Sequence, residues 1–203
     1  MTTNLNAKSV IQHDVKAYFD SQARHWDSHS HHEPDKLRRI IRACDLHSGQ
    51  RVLDVACGTG VLFPWLLAHD PSLLMGIDLS ERMTAVARAK HRDKRLKIVT
   101  ADYYHLAAGA FDRIIIYNAY PHFFDKMRFA EKTRDLLIPG GRFVVAHNKG
   151  RESLNEMHEA RGVHQYSVPL KAVTEESRWF DSYFEIDHCI DANDIFILSG
   201  ISV

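Results

Sequence analysis

Residues 51–56 form a short, β-branched apolar run that breaks at once into Cys57-Gly58-Thr59-Gly60, and a helical pattern with Leu62, Trp65, Leu66 and Leu67 follows directly. A buried strand that turns through two glycines into a helix has few architectures open to it. The glycines permit the tight turn and leave bare backbone for a ligand to approach. The same alternation continues downstream. Strands are predicted over residues 73–77, 96–100, 111–117 and 142–147, and Ser80 is placed to cap a helix carrying Met83, Val86, Ala87 and Ala89. Another helix is predicted over 123–137, and Pro139-Gly140-Gly141 then turns the chain. Strands over 183–189 and 194–199, joined by a short polar turn, suggest an antiparallel pair at the end. Alternating strands and helices make an α/β fold with a largely parallel sheet. Ahead of it, Val15, Phe19, Ala23 and Trp26 make a helical stripe, and Pro34 opens a second helix carrying Leu37, Ile40 and Ile41.

The glycine loop does not read as a phosphate cradle. A dinucleotide fingerprint needs a small residue where Phe63 stands, and a P-loop needs a lysine where Val61 stands. Asp54, inside the first strand, would repel phosphates and suits a ligand with an ammonium group or polar donors. Asp78 ends the second strand, where a carboxylate can accept from two ribose hydroxyls. Asp102 ends the third and can accept from an exocyclic amine. Acidic residues at three successive strand tips beside a glycine loop mark the crevice in which open α/β sheets bind ligands.

Lysine plus arginine and aspartate plus glutamate both number 26, so the net charge is zero with histidine neutral. No basic field exists to gather a nucleic acid. No apolar run is long enough to span a bilayer, and the N-terminus lacks a secretion-type apolar region. Cys44, Cys57 and Cys189 are too far apart for a disulfide framework or a zinc knuckle, which points to a reducing cytoplasm.

These motifs have a family likeness. Val52-Leu-Asp-Val-Ala-Cys-Gly-Thr-Gly60, Gly76-Ile-Asp-Leu-Ser80 with Met83, Ala101-Asp102, Ala110-Phe-Asp112 and Leu137-Ile-Pro-Gly-Gly-Arg-Phe143 resemble the class I S-adenosylmethionine-dependent methyltransferases, in particular the small-molecule, ubiquinone/menaquinone-type branch. The resemblance spans roughly residues 37 to 147. It implies a Rossmann-like, mostly parallel seven-stranded sheet with an antiparallel last strand and helices on both faces. Residues 36–203 would be the methyltransferase domain and residues 1–35 a helical extension covering the acceptor site. The implied cofactor is S-adenosyl-L-methionine. Asp54 would engage its methionine amine, Ala56, Gly58 and Gly60 would cradle the methionine portion, and Asp78 would hold the ribose. Leu79 and Met83 would sandwich the adenine, Asp102 and Tyr103 would meet its edge, and Asn118 would lie near the sulfonium.

Methyl transfer from a sulfonium requires alignment and exclusion of water, and it needs a base only where the nucleophile must lose a proton. His122, in the segment after the fourth strand, and His147, ending the fifth, are the base candidates, because imidazole titrates near neutrality. Tyr18 on the lead-in helix could touch the sulfonium or the substrate. The expected acceptor is a small molecule with an oxygen, nitrogen or carbon nucleophile, methylated by a cytoplasmic monomer or homodimer with neither nucleic acid nor membrane as partner. Two alternatives stay open. One is metal-assisted or other sulfonium chemistry through a cluster of His122, His147 and His158, the metal being unknown. The other is a non-catalytic, cofactor-binding regulatory subunit.

Overall fold

The computed structural model describes residues 14–107 and 109–203. The part of the lead-in stripe before residue 14 lies outside them. Helix α1 covers 14–22 and α2 spans Trp26–His29, and α3 (Pro34–Ala43) begins on Pro34 as expected. The alternating region follows as β1 (Arg51–Val55), α4 (Phe63–Leu67), β2 (Leu73–Asp78), α5 (Glu81–Lys90), β3 (Leu96–Thr100), β4 (Phe111–Tyr117), α6 (Lys126–Leu136) and β5 (Leu137–His147). Then come α7 (Arg151–Ala160), α8 (Val173–Glu176), β6 (Phe184–Asp191) and β7 (Phe196–Ser202).

The seven strands lie in the order β3-β2-β1-β4-β5-β7-β6. Strands β1 to β5 are mutually parallel, and β7 runs antiparallel to both β5 and β6. The chain therefore moves outward from β1 in one direction and returns to its other side at β4. Between those two strands the order reverses, and the loops after them part.

Strand β4 shows why the central strands read as continuous apolar runs. Ile114 and Ile116 enter a core with Phe129, Phe143 and Phe180 on one face. Ile115 and Tyr117 enter a second core with Ile40, Phe63 and Leu66 on the other. Both faces are covered, as in parallel sheets generally, by α3, α4 and α5 on one side and α6, α7 and α8 on the other.

Local details differ from expectation in two places. The Pro139-Gly140-Gly141 turn is absorbed at the start of β5, where the register with β4 shifts between Phe111 and Arg113. Phe63 is not too large for its position. Its ring fills the hollow left by two missing side chains, since a Cβ on Gly60 or Gly76 would stand 2.5 or 2.4 Å from it.

Candidate active site

A cavity of about 660 Å³ opens at the carboxyl ends of β1, β2 and β4, within the range of small-molecule sites. Its floor is built from strained turns. Ala56 after β1 and Asn118 after β4 both adopt left-handed backbone, φ 54° and 55°, and Gly58 shares it at φ 54°. Asparagine and glycine tolerate this conformation, whereas for alanine it costs on the order of 1 kcal/mol. These turns flare the two loops apart at the point where the strand order reverses.

The acidic residues occupy that floor. Asp54 is 2% exposed, lines the cavity, and has no hydrogen-bond or ion-pair partner among the described residues. Burial, reinforced by the nearby Asp78 charge, raises its carboxyl well above the usual range. Asp78 accepts from Ser80 N and from Gly58 N, each at 2.8 Å, so it ties the glycine loop to the end of β2. Burial pushes its pKa up to about 6 against those two bonds. Two carboxylates held this way call for a ligand with positive charge or several donors.

Ala56, Gly58, Leu79, Met83, Tyr103 and Asn118 also line the cavity. Gly60 and Asp102 do not. Gly60 makes room for Phe63, and the Asp102 carboxylate caps the short turn Tyr103–His105 by accepting from Tyr104 N and pairs with His105 at 3.0 Å. The Tyr103 hydroxyl is bonded to Thr133 in the core, so only its ring faces inward.

The lead-in helices are strapped across the opening. Asp20 accepts from Ser80 Oγ at 2.5 Å and Arg82 N at 3.2 Å. Asp27 accepts from Thr59 Oγ1 and from Lys90 Nζ, both at 2.6 Å. His32 bonds the Tyr117 hydroxyl at 2.8 Å, and Asn148 donates to the His31 carbonyl. These pairings join residues 32 to 117 positions apart, so no local sequence signal announces them.

Tyr18 and His122 line the other end of the cavity. Tyr18 stacks on Tyr166 with ring centroids 4.9 Å apart, and Phe19 meets His122 edge-on at the same separation. His122 Nδ1 lies 2.8 Å from the Tyr166 carbonyl, which can only accept, so Nδ1 carries the hydrogen and Nε2 a lone pair. Burial lowers its pKa to about 4, so the ring is neutral at physiological pH.

His147 is placed differently. It is fully buried, lies outside the cavity lining, and has no partner on either ring nitrogen among the described residues. Burial drives its pKa down to about 3. Its alternation along β5 explains the placement: Phe143, Val145 and His147 share a face, and His147 meets Phe196 edge-on beneath it. Among the described residues no group of three or more histidine, cysteine, aspartate or glutamate side chains is arranged to hold a metal ion, so His122, His147 and His158 do not form the triad considered above.

Residues 53–145 match the family model of a methyltransferase domain. Methyltransferase GfsG of Streptomyces halstedii is 31% identical over 128 residues, covering 60% of this chain and 46% of that protein. A ubiquinone biosynthesis O-methyltransferase of Aromatoleum aromaticum is 31% identical over 152 residues, covering 68% and 62%. The chain thus spans about half the length of the curated relatives it matches. Among solved structures, magnesium protoporphyrin IX methyltransferase from Synechocystis PCC 6803 with bound S-adenosylhomocysteine superposes with a TM-score of 0.72 at 17% identity, over 95% of this chain and 100% of that one. The N-methyltransferase NodS from Bradyrhizobium japonicum, in complex with S-adenosyl-l-homocysteine, gives 0.73 at 14%, over 93% and 98%. With its strand order, its glycine loop and these likenesses, the chain has the class I S-adenosylmethionine-dependent methyltransferase fold.

Proposed function

We propose that this protein transfers the methyl group of S-adenosyl-L-methionine to a small-molecule acceptor. The observation that carries the reading is the unpartnered Asp54 carboxylate beside Asp78 at the floor of the cavity. A buried carboxylate without a partner is costly, and a cationic ligand relieves that cost. Asp54 is placed for the ligand's ammonium group and Asp78 for its ribose hydroxyls. The backbone at Gly58 supports the approach, since the nearest atom to an added Cβ there is 3.9 Å away. Leu79 and Met83 supply apolar faces for the adenine.

Bound there, the cofactor would supply an electrophilic methyl group on a sulfonium whose sulfur leaves as a neutral thioether. The chain's own part is to align, to exclude water and to hold a proton. His122 Nε2 receives the proton of an O–H or N–H acceptor, with Nδ1 anchored on Tyr166 fixing the ring. Tyr18 and Phe19, carried by the strapped residues 14–35, close the acceptor end, and residues 36–203 form the catalytic body. A net charge of zero supports a small acceptor over a nucleic acid, and among the described residues no helix is long and apolar enough to cross a membrane.

The test combines calorimetric titration of S-adenosylhomocysteine with transfer of labelled methyl to small-molecule extracts. The reading expects binding in the wild type, loss of binding in Asp54→Asn, and loss of transfer with binding retained in His122→Asn. Full transfer by His122→Asn removes the base assignment, and absence of cofactor binding in the wild type removes the function.

A further inference from the structure

The acceptor end of the cavity holds a second imidazole. Ser167 Oγ lies 3.0 Å from His158 Nδ1 and 3.1 Å from the Val163 carbonyl, so the serine anchors the ring through Nδ1. His122 is anchored through Nδ1 as well, by its carbonyl partner. The two rings lie with centroids 5.6 Å apart, both line the cavity, and neither Nε2 has a partner among the described residues. Two rings anchored through Nδ1 thus leave Nε2 of each without a protein partner among the described residues.

One charge completes this end. Arg161, immediately after α7, lines the cavity and has no ion-pair or hydrogen-bond partner for its guanidinium among the described residues. It lies near enough to bear electrostatically on both His158 and Tyr18. Of the other cavity-lining cations, Lys36 pairs with Glu33 and Arg128 lies over the Tyr104 ring, while Lys149, likewise without a partner among the described residues, sits just after β5 beside Asn148. Of the acidic side chains lining the cavity, Asp54 and Asp78 belong to the strand tips, Glu33 and Asp194 pair with Lys36, and Asp125 caps α6 by accepting from Arg128 N.

We propose that the acceptor is a small carboxylic acid that also carries the hydroxyl or amine to be methylated, with Arg161 pairing to the carboxylate, Nε2 of His122 accepting from the hydroxyl or amine, and Nε2 of His158 hydrogen-bonding to the acceptor beside it. The aromatic walls, Tyr18 and Phe19, favour an acceptor with a flat ring. Arg161 and His158 are then residues of acceptor specificity. The proposal rests on the methyl-transfer reading above.

Its test uses the full chain saturated with S-adenosylhomocysteine, so that cofactor binding is verified first. The probes are the aminobenzoate and hydroxyphenylacetate isomers and the carboxamide of each, titrated calorimetrically. At least one acid binds, and it binds about fivefold more tightly than its amide, the worth of one solvent-accessible ion pair. Arg161→Met abolishes that preference while leaving S-adenosylhomocysteine binding and thermal stability unchanged, and Arg161→Lys keeps part of it. His158→Asn weakens acid and amide alike. Equal binding of acids and amides by the wild type, an unchanged preference in Arg161→Met, or no binding of any acid by the loaded protein overturns the proposal. Failure of the initial loading step instead overturns the methyl-transfer reading.

Discussion

Replacing Asp78 by asparagine separates what the carboxylate does for binding from what it costs the fold. In the free protein its pKa rises from 3.8 to about 6. At about 1.4 kcal/mol per pH unit, keeping it ionised at neutral pH costs about 3 kcal/mol of stability. The sign follows from proton counting. Between pH 4 and 6 the folded state holds a proton that the unfolded state has released, so stability falls as pH rises through this window and levels off above it. Asparagine removes this dependence, although its NH₂ end must face either Gly58 N or Ser80 N and forfeits one of the two bonds. A lost buried bond costs about 1–3 kcal/mol, so the neutral-pH stability of the variant lies within about 2 kcal/mol of the wild type, on the higher side. Binding moves the other way. Two hydroxyl donors lose a charged acceptor, worth about 3 kcal/mol or roughly 150-fold in affinity. The assay is thermal unfolding from pH 4 to 8 with and without S-adenosylhomocysteine, joined to calorimetric titration at pH 7.5. A variant that keeps the wild-type affinity, or a wild type whose stability does not drop between pH 4 and 6 relative to the variant, refutes the reasoning.

Gly76→Ala places a methyl group 2.4 Å from the Phe63 ring in the packed core and is expected to cost about 2–3 kcal/mol in chemical denaturation. Adding Phe63→Leu recovers part of that loss, a coupling that a double-mutant cycle reads directly. Tyr120→Phe leaves the buried Glu176 Oε2 without its 3.0 Å donor and lowers stability by about 1–3 kcal/mol, with S-adenosylhomocysteine affinity unchanged in titration. Asp20→Ala releases α1 from Ser80 and Arg82 and speeds amide exchange across residues 14–29, followed by mass spectrometry, while exchange in β4 stays at the wild-type level.

The parallel strands were legible because burial on both faces forces uninterrupted apolar runs, and β4 coincides with its predicted span. The two glycines and the strand-tip aspartates were legible because turns and ligands demand particular residue types there. What escaped was set by long-range contact. His147 ends a strand, as predicted, yet the alternation begun by Phe143 turns it into the apolar core; the signal was present in the sequence, and the facing direction mattered more than the position. Asp102 has the right place but spends its carboxylate on the turn it begins. Arg161 reaches the cavity, and Tyr166 and Ser167 reach its histidines, only through the chain's path after α7, which no periodicity encodes.

The wall from α7 to Leu170 packs on the sheet through Leu154 and Leu170 and is also fastened within itself. Asn155 and Leu170 exchange two 2.9 Å bonds, and Ser167 joins His158 to Val163, so the stretch from α7 to Leu170 is clasped by its own side chains. It meets the loop after β4 through Val168 N on the Pro121 carbonyl and His122 on Tyr166. A segment fastened in this way behaves as an exchangeable cassette. On the methyl-transfer reading proposed above, altering residues 157–166 is expected to retune which molecule is accepted while the half of the pocket framed by strand tips keeps its shape, so selectivity can diverge on an unchanged chassis.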